Sequence, residues 1–474
     1  MSTTGLRINH VTVIDPHDGT RTPQRSILIQ GGRITAVEPV PEGPPDPAAR
    51  TVDATGMFAV PGYNDMHVHA IGPDAPAGAL ALMLANGITG IRQMSGSPEL
   101  LAQRRTGTLP LGTHAPSLLV MPGSVLTPLN AGTVEAAAGE ITRQKQEGAD
   151  FIKVGLVSPE VFFAAIAQAH EVGLPIVGHL PSGIDAAKAA RAGFHAIEHL
   201  GPGDAIWIST STEEETLRAE TAQQRLPKLP AIRLPSFVQR RVQAVIRKRL
   251  INPAAYSKAG DVARLQRAFD THSAPKAALL AKEFAARATW HVPTLMRLRT
   301  QQLADLPAFA SNPHLRYLPP DLVKDWQNSA ATFHKQPQAV RTTLKAAYER
   351  QLALTRLLYT SGVSMLAGTD DGGWEVPGFA LHQEFDELAR AGLPPLKILQ
   401  MTTSDAARFL GRTTEMGRIA PGYLADLVLL EGDPTVSVDH LHRINSLVKS
   451  GTHYSRQDLD ALLARLEAGH GHLR

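Results

Sequence analysis

From residue 60 onward, short apolar segments alternate with helix-forming segments, several of which end at a glycine. This alternation is typical of a parallel β-sheet covered by helices, because each helix returns the chain to the start of the next strand. The predicted strands are residues 65–69, 88–92, 117–121, 150–154, 174–179, 195–199, 290–295 and 364–370. Eight such units predict an α/β fold of the (β/α)8 TIM barrel type.

The segments on either side of these units have a different pattern. Residues 6–60 contain short apolar runs separated by turn signals, and two further β-type segments lie at 419–430 and 443–449. We therefore expect residues 1–60 and 415–455 to form one small composite β-sandwich domain and residues 61–414 to form the barrel. Residues 202–285 interrupt the alternation and predict a helical insertion over one mouth of the barrel.

The composition excludes several classes of protein. The 474 residues include no cysteine, which excludes disulfides, thiolate zinc sites and a cysteine nucleophile. The 47 basic and 44 acidic residues nearly balance, and no basic stripe with interleaved aromatics predicts binding to nucleic acid. We find neither an apolar run long enough to span a membrane nor a secretory signal, so we expect a cytoplasmic protein.

Metal-binding side chains are concentrated at the ends of the predicted strands. His67 and His69 follow a Pro-Gly break and are two residues apart, so both imidazoles can point to one face of a strand. Later strands end near Lys153, His179, His199 and Asp370. Because functional residues of a parallel barrel lie at the C-terminal ends of its strands, these groups predict a common site.

Each of these residues also has a simpler interpretation. A single histidine after an apolar strand is more often a satisfied core residue, and Lys153 can be a salt-bridged or snorkelling lysine. Asp370 can be a helix N-cap, a role for which Asp371 competes. As a ligand, Lys153 requires carbamylation, because an ammonium group cannot bind a cation.

The residue types together fit one mechanism. Histidines and a carboxylate hold Zn²⁺ or a similar ion, which lowers the pKa of a water molecule and polarises a carbonyl group. Asp370 is suited to act as the general base that moves the water proton to the leaving group. The sequence contains no Gly-x-Ser-x-Gly elbow, no P-loop and no dinucleotide-binding glycine motif after a strand.

Motifs along most of the chain resemble the amidohydrolase superfamily, and within it the imidazolonepropionase-like and Xaa-Pro dipeptidase-like branch. The motifs are Val60-Pro-Gly-Tyr-Asn-Asp-Met-His-Val-His69, Gly87-Ile-Thr-Gly-Ile-Arg92, Gly148-Ala-Asp-Phe-Ile-Lys-Val154, Ala196-Ile-Glu-His-Leu200, Gly368-Thr-Asp370 and Gly417-Arg-Ile-Ala-Pro-Gly-Tyr-Leu-Ala-Asp-Leu-Val428. The resemblance implies a barrel with a composite β-sandwich built from both termini.

The resemblance also implies a binuclear centre. His67 and His69 would bind one metal ion, His179 and His199 a second, and N-carboxylated Lys153 would bridge the two, with Asp370 as ligand and base. The implied cofactors are two divalent ions, most often Zn²⁺, with Co, Mn or Fe as alternatives. We assign no role to Thr294 on the seventh strand.

Two departures from the branch affect the expected substrate. Dipeptidase-like relatives carry a Gly-Gly-His segment after the third strand, whereas residues 121–130 here contain no histidine, and the insertion at 202–285 lies outside the shared pattern. We therefore expect hydrolysis of an N-acyl, anilide, carbamate or urea bond in a small molecule. The alternatives are an Xaa-Pro or acyl dipeptidase, a lactone or phosphotriester hydrolase, and a non-catalytic scaffold.

Two further expectations concern the surroundings of the site. Gly372-Gly373-Trp374 after the last strand predicts a flexible loop that presents an aromatic wall, so Trp374 is a candidate substrate contact. Insertions in such barrels cap the pocket or form subunit contacts, and we expect a homo-oligomer without a membrane or nucleic-acid partner.

Overall fold

The computed structural model describes residues 5–42, 49–72, 76–199, 204–222, 249–470 and 472. Its strands are β1 (Gly5–Ile14), β2 (Arg21–Gln30), β3 (Arg33–Pro39), β4 (Ala49–Asp53), β5 (Phe58–Pro61), β6 (Tyr63–Val68), β7 (Ile88–Gln93), β8 (Ser117–Val120), β9 (Ile152–Val154), β10 (Ile176–Gly178), β11 (Ala196–Glu198), β12 (Trp290–Val292), β13 (Leu427–Leu430), β14 (Ile444–Lys449) and β15 (Thr452–Tyr454).

Helices occupy most of the chain between β6 and β13, a short one lies between β13 and β14, and one follows β15. The α-helices are Ala77–Ala85, Pro98–Thr106, Val134–Glu147, Pro159–Glu171, Ala186–Arg191, Ala205–Ser209, Glu214–Ala222, Ala259–Asp270, Ala274–Ala286, Leu295–Gln302, Pro307–Ala310, Pro320–His334, Gln338–Thr360, Phe379–Arg390, Pro395–Thr402, Ser404–Phe409, Asp439–His442 and Arg456–Ala468. Two short 3₁₀ helices are Pro253–Tyr256 and Pro313–Tyr317. Within the described ranges, no helix is both long enough and apolar enough to cross a membrane.

The middle of the chain has the predicted mixed α/β architecture. β6, β7 and β8 form one parallel sheet, and β9, β10, β11 and β12 form another. The amide of Asp150, just before β9, donates to the carbonyl of Met121, just after β8, over 3.0 Å. On the other side, residues 364–367 connect β12 to β6, since the amide of Leu366 donates to His291 and that of Met66 to Ala367.

The predicted eighth strand at 364–370 is wrong as a regular strand. Met365 alone forms a β-bridge there, with His291. The amide of Leu366 still donates to the carbonyl of His291, so this segment lies beside β12 without forming a ladder. The chain instead turns around His67, whose carbonyl accepts from the amide of Asp370 over 2.7 Å.

Strands from both ends of the chain lie in one sheet, in the order β15-β14-β13-β5-β1-β2-β3, with β4 pairing with β1. β5 joins the two ends, because it pairs in parallel with β1 and antiparallel with β13. The apolar core of this sheet includes Ile8, Ile27, Leu427, Leu429 and Val448. The separate domain formed by this sheet, with bounds at residues 1–60 and 415–455, stays a prediction.

The predicted insertion at 202–285 is helical where it is described. It contains the helices Ala205–Ser209, Glu214–Ala222, Ala259–Asp270 and Ala274–Ala286, whereas residues 223–248 lie outside the described residues. The helix Arg456–Ala468 was not predicted. It begins at a capping box of Ser455 and Asp458, and its Leu462 and Leu466 join an apolar cluster with Leu82.

An apolar cluster positions the polar residues above it. Phe151, Val177, Ala196 and Val292 are buried together with Met66 and Leu366. Side chains two residues apart on a strand point to the same face. Lys153, His179 and Glu198 therefore lie on the same side of their strands as Phe151, Val177 and Ala196, one layer closer to the C-terminal ends.

Candidate metal centre

Three histidines converge on the carboxylate of Asp370. The Nε2 atoms of His67 and His69 lie 3.4 Å and 3.1 Å from its Oδ1, and Nε2 of His199 lies 3.4 Å from its Oδ2. The ligand atoms of His67, His199 and Asp370 are all within 4.8 Å of one another, a separation that one cation can bridge. The simpler interpretations of these residues as unrelated core or capping groups do not account for this convergence.

The structure also brings His179 and Lys153 to this cluster. The ring centroid of His179 is 5.1 Å from that of His199. Lys153 is 2% exposed, and its Nζ has no hydrogen-bonding partner among the described residues. Burial lowers the pKa of Lys153 to about 8, although the charges of Glu198 and Asp370 oppose the shift. The lowered pKa increases the fraction of neutral amine, the form that can react with carbon dioxide.

The electrostatics favour a set of donors for a cation. Burial lowers the pKa values of His179 and His199 well below the usual value, so both imidazoles are neutral and keep a lone pair. Burial would raise the pKa of Asp370, but His199 and His67 hold it well below its usual range, so the carboxylate is ionised. The buried Nε2 of His67 has no hydrogen-bonding partner in the described structure. These donors fit a divalent metal ion.

Hydrogen bonds hold three of the imidazoles through their second ring nitrogen. Nδ1 of His67 lies 2.7 Å from Oε2 of Glu198, Nδ1 of His199 lies 2.7 Å from Oγ1 of Thr294, and Nδ1 of His69 lies 2.9 Å from Oγ of Ser95. Such contacts orient a metal-binding ring and fix its tautomer.

Sequence reasoning missed these supporting residues. Glu198 carried a signal, because it precedes His199 and lies two residues after the inward-facing Ala196 on the same strand. Thr294 was noted on the seventh strand without a role, and nothing in its sequence context indicated a histidine partner. Ser95 lies on the segment after β7, where no pattern singled it out.

The backbone of the site is strained at three positions. His199, Thr294 and Asp370 have φ values of 58°, 45° and 54°, which are unfavourable for residues other than glycine. Asp65 helps to hold this arrangement: its carboxylate accepts from Oγ1 of Thr369 over 2.7 Å and from the amide of His67 over 3.2 Å.

The segment after Asp370 is tightly packed. Asp371 accepts from the backbone amide of His69 over 2.9 Å and is not part of the convergent cluster. The N-cap alternative for Asp370 is wrong, because the next helix begins at Phe379 with Gly378 as its N-cap. A Cβ atom on Gly373 would lie 2.7 Å from the carbonyl oxygen of Ile251, so this glycine permits a close backbone approach.

Trp374 lies in an apolar cluster beyond these glycines. It is 4% exposed, and its ring lies 6.5 Å from that of Phe309 and 5.9 Å from that of Trp326. The contact of Trp374 with a substrate stays a prediction.

The chain is similar in sequence to proteins of known family. The amidohydrolase family model matches residues 253–455, which include Thr294 and Asp370. An adenine deaminase from Chelativorans sp. (strain BNC1) is 27% identical in a 201-residue alignment that covers 37% of this chain and 32% of the deaminase. The chain thus spans about a third of the length of this curated relative.

Solved structures match the whole chain. A bottromycin amidohydrolase superposes with a TM-score of 0.70 at 23% identity, over 100% of this chain and 94% of the other. Residues 253–455 thus match the amidohydrolase family model, and the whole chain shares the fold of this amidohydrolase structure. A Xaa-Pro dipeptidase with bound methionine has a TM-score of 0.61 at 16% identity, over 95% of this chain and 100% of the dipeptidase. The family model over residues 253–455 and the fold shared with these structures together support the predicted superfamily. At these identities the amidohydrolase structures establish a shared fold, and the substrate has to be inferred from the site.

Proposed function

We propose that this amidohydrolase is a metal-dependent hydrolase that cleaves an amide-type C–N bond in a small substrate. The observation that carries the proposal is the convergence of three imidazole Nε2 atoms on the ionised carboxylate of Asp370. The names adenine deaminase and amidohydrolase among the similar proteins support chemistry at a C–N bond.

The proposed centre holds two divalent metal ions, most often Zn²⁺. His67 and His69 would hold one ion, His179 and His199 would hold the other, and N-carboxylated Lys153 would be shared between them, with Asp370 as a further ligand. The buried, unpartnered Nζ of Lys153 supports its modification. When bound, the metal ions lower the pKa of water and polarise the substrate carbonyl.

The residues of the chain supply the proton transfer and the geometry. Asp370 is the base that accepts a proton from the attacking water and delivers it to the leaving nitrogen. Its low pKa keeps the carboxylate ionised. A hydrogen bond from the backbone amide of Asp370 to the carbonyl of His67 holds the residue beside β6. Glu198, Thr294 and Ser95 keep the imidazoles in fixed orientations.

The proposed substrate class is an N-acyl, anilide, carbamate or urea compound. Residues 121–130 contain no histidine that could recognise a substrate carboxylate, which favours neutral substrates over plain dipeptides. The similarity to a Xaa-Pro dipeptidase keeps dipeptide hydrolysis as the second candidate.

The proposal includes the architecture around the site. We infer a (β/α)8 barrel in which residues 364–367 take the place of the eighth strand between β12 and β6. The sheet from the two chain ends forms the composite domain of residues 1–60 and 415–455, and the protein assembles as a homo-oligomer.

The test is turnover of a paired substrate panel by the zinc- or cobalt-loaded protein, followed by mass spectrometry. One half contains Xaa-Pro dipeptides and N-acyl amino acids, and the other contains anilides, carbamates and aryl ureas without a carboxylate. We expect cleavage in the second half. Cleavage confined to the first half would make the protein a dipeptidase, and no cleavage in either half with metal bound would contradict the proposal.

Substitutions connect turnover to the site. We expect Asp370→Asn and His67→Ala to reduce turnover by at least about 10³-fold, because they remove the base and a metal ligand. The matched controls are Asp460→Asn and His334→Ala, whose side chains are 64% and 70% exposed. Retained turnover in Asp370→Asn would remove that residue as the base.

A further inference from the structure

A buried carboxylate lies directly behind the first predicted metal ligand. Glu198 and His67 are both 0% exposed, and Oε2 of Glu198 is 2.7 Å from Nδ1 of His67. A carboxylate accepts a hydrogen bond, so this contact holds a proton on Nδ1 of His67. The other ring nitrogen, Nε2, faces Asp370, has no hydrogen-bonding partner within the described structure and is the atom available to a metal ion.

Arg92 holds this carboxylate in place. Its Nη2 is 3.1 Å from Oε1 of Glu198, and its Nη1 donates to the carbonyl of Met66, also over 3.1 Å. The guanidinium carbon lies 5.0 Å from the ring centroid of Phe151 and 4.8 Å from that of Phe409. One buried cation therefore fixes both the side chain that orients His67 and the backbone of the preceding residue.

Stability alone does not explain this pair. Removing two charges from water is costly, and replacing a buried ion pair with apolar residues of similar volume is often neutral or stabilising. Both polar contacts of Arg92, with the carboxylate of Glu198 and the carbonyl of Met66, are made to groups that directly adjoin His67. By contrast, Arg264, which pairs with the buried Asp204 at 2.8 Å, forms its other ion pair with Asp261 on its own helix, Ala259–Asp270.

We propose that Glu198, held by Arg92, is a positioning residue that fixes the tautomer and orientation of His67 for metal binding. The inference rests on the proposed function in that it requires a divalent ion at His67. It adds two residues that hold that ligand without themselves binding the metal ion.

The test compares two double variants that differ at one side chain. In Glu198→Met/Arg92→Met the acceptor is lost, whereas in Glu198→Gln/Arg92→Met the amide oxygen of glutamine can still accept from Nδ1 of His67. Neither variant leaves an unpaired buried charge, so both are expected to fold. We expect Zn²⁺ or Co²⁺ affinity, measured by chelator competition, to fall about 10–100-fold in the first and to recover largely in the second.

The control and the outcomes separate this inference from the proposed function. Asp204→Met/Arg264→Met removes the other buried pair and should keep the metal affinity of the original protein. Equal affinity in the two Arg92→Met variants, with metal bound stoichiometrically by the original chain, overturns the positioning role and leaves the proposed function standing. If the original chain binds no divalent metal ion, both are overturned.

Discussion

His291 on β12 is a buried histidine outside the proposed metal centre, and it makes stability depend on pH. It is 0% exposed, its ring packs 4.6 Å from that of Phe284, and neither ring nitrogen has a hydrogen-bonding partner in the described part of the chain. Burial lowers the pKa of His291 from 6.5 to about 3, although the charge of Glu198 opposes the shift. The folded protein therefore keeps this ring neutral in mild acid.

The pH dependence follows from the two pKa values. The unfolded chain takes up a proton near pH 6.5 and the folded chain only near pH 3, so protonation favours the unfolded state as the pH falls between these values. At pH 5 the pH lies 1.5 units below the unfolded pKa, which corresponds to a loss of about 2 kcal/mol in the free energy of unfolding. At pH 7.5 the loss is close to zero.

The perturbation is His291→Leu, which keeps a similar volume and removes the titrating ring. We expect the free energy of unfolding of the variant, relative to the original protein, to increase by about 2 kcal/mol between pH 7.5 and pH 5. Urea denaturation followed by tryptophan fluorescence at both pH values measures this difference. Other buried histidines, such as His382, occur in both proteins and cancel.

His334→Leu is the control, because this ring is 70% exposed and its loss removes no buried neutral histidine. The variant should show no comparable increase toward pH 5. A stability difference between His291→Leu and the original protein that does not change with pH would refute the reasoning, because His291 would then titrate equally in both states.

The remaining predictions concern the loop, a helix and the metal ions. Gly373→Ala should lower the thermal midpoint, because its Cβ would lie 2.7 Å from the carbonyl oxygen of Ile251. Gly139→Ala, in open space on the helix Val134–Glu147, should instead raise stability by about 0.5–1 kcal/mol. Thermal midpoints of the two variants that shift in the same direction would argue against this packing. Trp374→Ala should cost about 3–5 kcal/mol of stability by urea denaturation with metal content unchanged, and a rise in KM without a change in kcat would support its predicted contact with substrate. Removal of metal with a chelator should abolish turnover and lower the thermal midpoint, and Zn²⁺ or Co²⁺ should restore both; full turnover by metal-free protein would contradict the mechanism.

The elements that the sequence predicted share a strong local signal. The helix Val134–Glu147 ends one residue before Gly148, and the helix Pro159–Glu171 ends two residues before Gly173. Both glycines have a positive φ. The histidines of the site were found because each follows an apolar strand, and the parallel arrangement brings strand ends together. Local pattern and topology were sufficient for these features.

The features that were missed depend on distant contacts or on a neglected local signal. Residues 364–370 are apolar enough for a strand, but Met365 alone forms a bridge with β12, and the chain then turns around His67. Glu198 becomes important only because His67, 131 positions earlier, lies against it. The helix Arg456–Ala468 was recognisable from the capping box at Ser455 and Asp458, a local pattern that was overlooked.

The sheet shared by the two chain ends has a consequence for biosynthesis. β5 is made early, but its antiparallel neighbour β13 is 366 residues further along when counted from Pro61 to Leu427, which pair. Until the ribosome has released the last strands, one edge of β5 has exposed amides and carbonyls that can pair with another nascent chain. β5 therefore gains its second partner only after Leu427–Leu430 has been synthesised, and premature termination before Leu427 should produce chains that aggregate.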